Sequence, residues 1–119
     1  MYFPFGSDSK ADIIAEYKDK LYKIQCKFAH VTLRGDEPGQ IDYIKFKTYS
    51  QLRDNTKIPY TEKDIDFFAT MVNGQGYLIP IREITSLEQR LRFSAPKNGQ
   101  TKNIMYADNY KLEDMLNKL

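Results

Sequence analysis

Asp12 and the run Gln25-Cys26-Lys27 are the residues whose types and spacing could do chemistry in this sequence. Strand alternation puts Gln25 and Lys27 on one face, and a hairpin connecting the two segments brings Asp12 beside them. A carboxylate, an amide oxygen and a lysine then converge. Oxygen donors of this kind suit Mg²⁺, a hard cation that is often held by one or two carboxylates together with a substrate phosphate. A lysine next to such a site can orient or deprotonate an attacking water and offset charge developing on phosphate. The reaction implied is phosphodiester hydrolysis. On spacing alone, the rival reading is a two-stranded ribbon whose polar side chains face solvent.

Other chemistries find little material. His30 is the sole histidine and reads as a strand-end residue rather than a metal ligand or catalytic base. Cys26 lies on the apolar parity of its segment and reads as a small core residue. Asn73-Gly74-Gln75-Gly76 contains two glycines in G-x-G spacing but no third, so it reads as a hairpin turn and not as a phosphate cradle. Glu16 shares the parity of Asp12 but stands about 13 Å further along a strand, too far to share an ion.

Two extended runs, Ala11 to Tyr17 and Leu21 to Leu33, flank the turn Lys18-Asp19-Lys20 and predict the hairpin that would position the set. In the second run Tyr22, Ile24, Cys26 and Phe28 alternate with Lys23, Gln25 and Lys27, the pattern of a half-buried strand. A loop is expected at Arg34 to Gly39 and a third strand over Ile41 to Thr48. Gln51 to Pro59 is polar and is expected to be loop. Thr61-Glu62-Lys63-Asp64 could cap a helix, but the turn signal at Asn73-Gly74 favours a strand over Phe67 to Val72 with a return over Tyr77 to Ile81. Pro80 would then sit near a strand end or edge. In the last stretch, Ile104 to Leu119, the spacing of Leu112, Met115 and Leu116 predicts a closing helix. The fold class is α+β, and residues 1–119 read as one domain.

The chain has 119 residues, 41% hydrophobic and 29% charged, which excludes a disordered composition. No apolar run is long enough to span a bilayer, so no membrane association is expected. The single cysteine excludes an internal disulfide and suits a reducing, cytoplasmic setting. Eighteen basic and sixteen acidic residues nearly cancel, but they are segregated. Gln89 to Ala107 carries Arg90, Arg92, Lys97 and Lys102 without an acid, whereas Thr61 to Gln89 carries five acids against two bases. With Asn98 and Gln100 as neutral donors, the basic segment is a candidate contact for backbone phosphates, and Lys10 is a further cation close to Asp12.

The approach Phe3-Pro4-Phe5-Gly6-Ser7-Asp8-Ser9-Lys10-Ala11-Asp12, followed by Leu21 to Lys27, resembles the PD-(D/E)XK nuclease superfamily. The resemblance is to the branch with a Q-x-K second motif, which includes group I intron homing endonucleases and is related to archaeal Holliday-junction resolvases. It extends through Tyr60 to Asp66, Tyr77-Leu78-Ile79-Pro80 and Arg92 to Ala107. It implies a restriction-endonuclease-like core, a mixed sheet with hairpins flanked by helix, in which the family's first helix is shortened or missing. It further implies that Asp12, Gln25 and the Cys26 carbonyl bind the metal and that Lys27 is the catalytic lysine. Gln25 stands where most superfamily members place an acid, so the site has one negative charge fewer; Asp8, or a partner subunit, could supply another ligand.

The function these readings lead to is a Mg²⁺-dependent DNA endonuclease, with Mn²⁺ as a substitute metal, that assembles as a homodimer or higher homo-oligomer to cut two strands. The alternatives are a binding module for nucleic acid or protein that keeps the nuclease fold without activity, and a structural subunit.

Overall fold

The structure, a computed structural model, describes residues 12–36, 38–96, 98–99 and 104–119. Strands β1 (Ile13–Tyr17) and β2 (Lys20–Cys26) form the expected hairpin. Its turn places Lys18 and Asp19 at φ 51° and 64°, the left-handed pair that a two-residue connection requires, here made without glycine. The second two-residue turn, between β7 (Phe67–Val72) and β8 (Gln75–Pro80), uses Asn73 and Gly74 at φ 50° and 82°. This settles the choice over residues 67–72 in favour of strand. Residues 62–64 form a turn, fastened by the Asp64 carboxylate accepting from the Thr61 N–H at 2.9 Å.

β2 pairs with β7 in parallel, with Gln25 opposite Phe68 and Cys26 opposite Ala69, giving a mixed four-stranded sheet in the order β1-β2-β7-β8. The extended run expected over Leu21 to Leu33 is therefore two strands. It breaks at residues 27–29, and β3 (His30–Leu33) joins a separate antiparallel sheet, in the order β3-β4-β9, with β4 (Ile41–Lys47) and β9 (Glu88–Arg92). The polar stretch expected to be loop forms a hairpin of β5 (Tyr49–Gln51) and β6 (Lys57–Pro59). The closing helix is also shorter than its pattern suggests. Met105 instead accepts the Arg92 N–H through its backbone carbonyl, Ala107–Asn109 forms a 3-10 turn, and only Leu112–Asn117 is helical, as α1. The expected helical flank is thus a single six-residue helix among the described residues, and none of these residues forms a helix long and apolar enough to cross a membrane.

Both faces of the β7 region are covered, which is why its sequence reads Phe-Phe-Ala-Thr-Met-Val and not as a strict alternation. On one face Phe68 packs against Phe46 of β4 and against Tyr60, with ring centroids 5.6 Å apart in each pair. On the other, Phe67 meets Tyr22, and Leu112 of α1 lies 3.4 Å from the position a Cβ would take at Gly76. Ile44, Phe46, Phe68, Ile79 and Leu91 are fully buried, and they belong to one continuous core that joins the two larger sheets.

Candidate active site

The hairpin register sets the site. Ile13 is opposite Ile24, and the Asp12 N–H continues the ladder to the Ile24 carbonyl at 2.9 Å, so Asp12 falls opposite Gln25. Its Oδ2 accepts from the Gln25 Nε2 at 2.9 Å and from the Cys26 backbone N–H at 3.0 Å. The same Nε2 lies 3.5 Å from the Cys26 carbonyl oxygen. The Asp12 carboxylate, the Gln25 amide and the Cys26 carbonyl therefore meet around one point. Gln25 Oε1, by contrast, is buried without a hydrogen-bond partner, which is costly for a group of this polarity.

Lys27 follows β2, held by its N–H to the Ala69 carbonyl at 2.8 Å. Its ammonium donates to the Tyr49 carbonyl at 3.4 Å and stands 4.9 Å from the centre of the Tyr60 ring. Burial pushes the Lys27 pKa below the ordinary lysine range; the Asp12 carboxylate pulls it back up, and the neighbouring Lys47 adds to the depression. Tyr60 has the opposite response: desolvation, then the Asp12 and Asp64 charges, raise its phenol. Sequence patterning does not single out Tyr49, Tyr60 or Lys47: Gln51 to Pro59 is expected to be loop, and only the β5-β6 hairpin formed there brings the flanking tyrosines to Lys27, while Lys47 lies on the expected third strand.

Cys26 is exposed and not the core residue its parity suggested. Among the described residues the one α-helix, α1, packs on β8, two strands away from β2, and does not reach the end of that strand. Desolvation of the sulfur and the Asp12 carboxylate raise the thiol pKa, which disfavours the thiolate a nucleophile needs. Glu16 is opposite Leu21, at the far end of the hairpin from Asp12.

The basic segment divides. Arg90 is exposed on β9, its guanidinium 4.6 Å from the centre of the Tyr43 ring. Arg92 is largely consumed by the fold: Nη2 contacts Asp42 Oδ1 at 2.8 Å, Nε donates to the Ser94 carbonyl at 3.0 Å, and the side chain is 14% exposed. Asn98 is exposed. Asp8, Lys10, Lys97, Gln100 and Lys102 lie outside the described residues.

The donor set fits a hard cation. A half-turn of the Gln25 amide exchanges its nitrogen and oxygen, bringing Oε1 to the Asp12 carboxylate and the Cys26 carbonyl. Three oxygens so placed repel one another unless a cation lies among them, and a cation would also satisfy the orphaned Oε1. The charge is low, since no group of three or more His, Cys, Asp or Glu residues suited to a metal occurs among the described residues.

A family profile described as PD-(D/E)XK endonuclease matches residues 1–113. Among solved structures, the chain is similar to a bacterial homing endonuclease, I-Ssp6803I, with a TM-score of 0.67 at 18% identity. That match covers 98% of this chain and 78% of the other. No curated protein sequence matches the chain.

Proposed function

This chain belongs to the PD-(D/E)XK endonuclease family, and from that premise we propose that it is a metal-dependent DNA endonuclease centred on Asp12, Gln25, the Cys26 carbonyl and Lys27. The observation that carries the reading is the convergence of Asp12, the Gln25 amide and the Cys26 carbonyl beside a half-buried lysine. Mg²⁺, or Mn²⁺ in its place, would be held by these oxygens and would supply charge neutralisation at a phosphoryl oxygen. Lys27 orients the attacking water and offsets the charge that builds on the phosphate in the transition state. The Tyr49 carbonyl and the Tyr60 ring hold its ammonium in place, which reduces the ordering cost at the moment of reaction.

One such site cuts one strand, so cleavage of both strands of a duplex or a symmetric junction calls for a homodimer or higher homo-oligomer. A linear duplex and a four-way junction incubated with Mg²⁺ or with a chelator test the reading and separate homing-like from resolvase-like activity. Strand scission of either substrate that requires the cation is the expected result. A chain that retains DNA at low salt but leaves both substrates intact with Mg²⁺ and Mn²⁺ is instead a binding module built on this fold, the reading favoured by the one carboxylate that the described residues bring to the site.

The Tyr60 ring offers a graded check. Tyr60→Phe keeps the aromatic face and is expected to cleave at close to the wild-type rate. Tyr60→Leu removes the face and is expected to lower kcat by about 5- to 30-fold, the worth of a desolvated cation–π contact, with little change in KM. Equal rates for the two variants in single-turnover cleavage would remove Tyr60 from the assignment.

A further inference from the structure

The three-stranded sheet β3-β4-β9 has one face in the core and one in solvent, and the two differ sharply. Val31, Ile44 and Leu91 are aligned across the strands on the inner side, with Ile44 and Leu91 fully buried. The alternate rows run His30–Lys45–Arg90 and Thr32–Tyr43–Arg92, with Lys47 opposite Glu88 at the next step. This outer face carries Lys45, Lys47 and Arg90, together with Arg92, which Asp42 neutralises, against Glu88, whose carboxylate lies 3.3 Å from the Lys45 ammonium. Among the described residues, neither Arg90 nor Lys47 has a carboxylate within salt-bridge distance, and both rest on aromatic rings, Arg90 on Tyr43 and Lys47 on Tyr49. A shallow cleft of about 310 Å³ runs between His30, Thr32, Lys45 and Lys47.

We propose that this face is a duplex-DNA contact surface, on which Lys47, Lys45 and Arg90 neutralise consecutive backbone phosphates leading away from the cleavage centre. The inference rests on the endonuclease reading and adds a surface to it. Three observations support the assignment. The three-stranded antiparallel sheet offers a polar, aromatic-stiffened face whose cations and donors can contact the phosphates of a duplex backbone. Lys45 and Lys47 follow one another on the same face of β4, about 6.6 Å apart, so their charges form a line and not a point. The line ends at the chemistry, because Lys47 rests on the ring of Tyr49, the residue whose carbonyl accepts from the Lys27 ammonium. Arg92 contributes by position only, since Asp42 and Ser94 hold its guanidinium.

The test is the salt dependence of duplex binding in a chelator, where no cleavage occurs, read by fluorescence anisotropy on the full chain between about 50 and 200 mM salt. Lys47→Ala and Arg90→Ala are each expected to weaken binding and to reduce the slope of log affinity against log salt by about 0.9. Glu88→Gln is expected to tighten binding several-fold, because it removes a repulsive charge and releases Lys45; damage to the fold cannot produce that direction. Lys118→Ala, at the end of α1, is the control and leaves affinity unchanged. If the wild-type chain binds duplex and the Lys47, Arg90 and Glu88 variants match it in affinity and slope, the surface assignment is overturned while the endonuclease reading stands. If the wild-type chain binds no duplex at any salt, both fall.

Discussion

Asp12→Asn is expected to reduce metal-dependent cleavage by at least about 10³-fold, equivalent to roughly 4 kcal/mol of transition-state stabilisation. The size follows from the composition of the site: Asp12 is the only charged donor among the three groups that meet there, and the amide oxygen and carbonyl that remain bind Mg²⁺ feebly without it. The substitution is conservative for the fold. An asparagine Oδ1 can still accept the Cys26 N–H that Asp12 Oδ2 now takes at 3.0 Å, and the Asp12 backbone keeps its bond to Ile24. The melting temperature without metal should therefore stay close to that of the wild type. Millimolar Mg²⁺ or Mn²⁺ should raise the wild-type melting temperature by binding the native state, and this increment should vanish in Asp12→Asn. A variant that still cuts within tenfold of the wild type, or still gains stability from the metal, would move the metal centre elsewhere.

Lys27→Met is expected to cost about 10² to 10³ in kcat, the effect of removing one preorganised charge from the reacting phosphate. It should leave the metal-dependent stabilisation intact, and the two readouts together separate the lysine's role from that of the aspartate. Methionine is close in length and apolar, so it can lie along the Tyr60 ring without leaving a cavity. Lys27→Arg should recover little, because a planar guanidinium does not reproduce a compact ammonium seated between a carbonyl and a ring face. Single-turnover cleavage at saturating DNA isolates the chemical step. A fall in affinity with kcat unchanged would make Lys27 a phosphate-binding residue and not a catalytic one.

The pairing of Asp12 with Gln25 was legible in the sequence because hairpins are local. The alternation of Lys23, Gln25 and Lys27, with a turn seven residues after Asp12, fixes which residues oppose one another. The environment of Lys27 was not legible, since it depends on residues from the β5-β6 hairpin, and polar strands such as Tyr49–Gln51 and Lys57–Pro59 carry no apolar stripe to announce them. Cys26 failed for a related reason: parity says which face a side chain points to, and only the packing of α1 on β8 says how far along that face the cover extends. Lys45 and Lys47 looked like the ordinary outer residues of a strand. They form a surface only because β4 lies between β3 and β9, a neighbourhood set by pairings as distant in sequence as Tyr43 with Arg92. Overlapping hydrophobic periods also misled at the C-terminus, where the i, i+3, i+4 set Leu112, Met115 and Leu116 belongs to a helix less than two turns long.

The parallel pairing of β2 with β7 has a consequence for synthesis. Asp12, Gln25 and Lys27 leave the ribosome early, but the strand that lies beside Gln25 is Phe67–Val72, and the Tyr49 carbonyl and Tyr60 ring that steady Lys27 also come later. A parallel neighbour cannot be recruited by a tight turn, so this contact forms late and only after a long loop has closed. A nascent chain stopped short of about residue 80 thus displays the reactive residues on a bare two-stranded ribbon, too weak to persist alone. Hydrolytic competence would then arise only after β7 and β8 have been made, so copies released before that point would leave the cell's nucleic acid uncut.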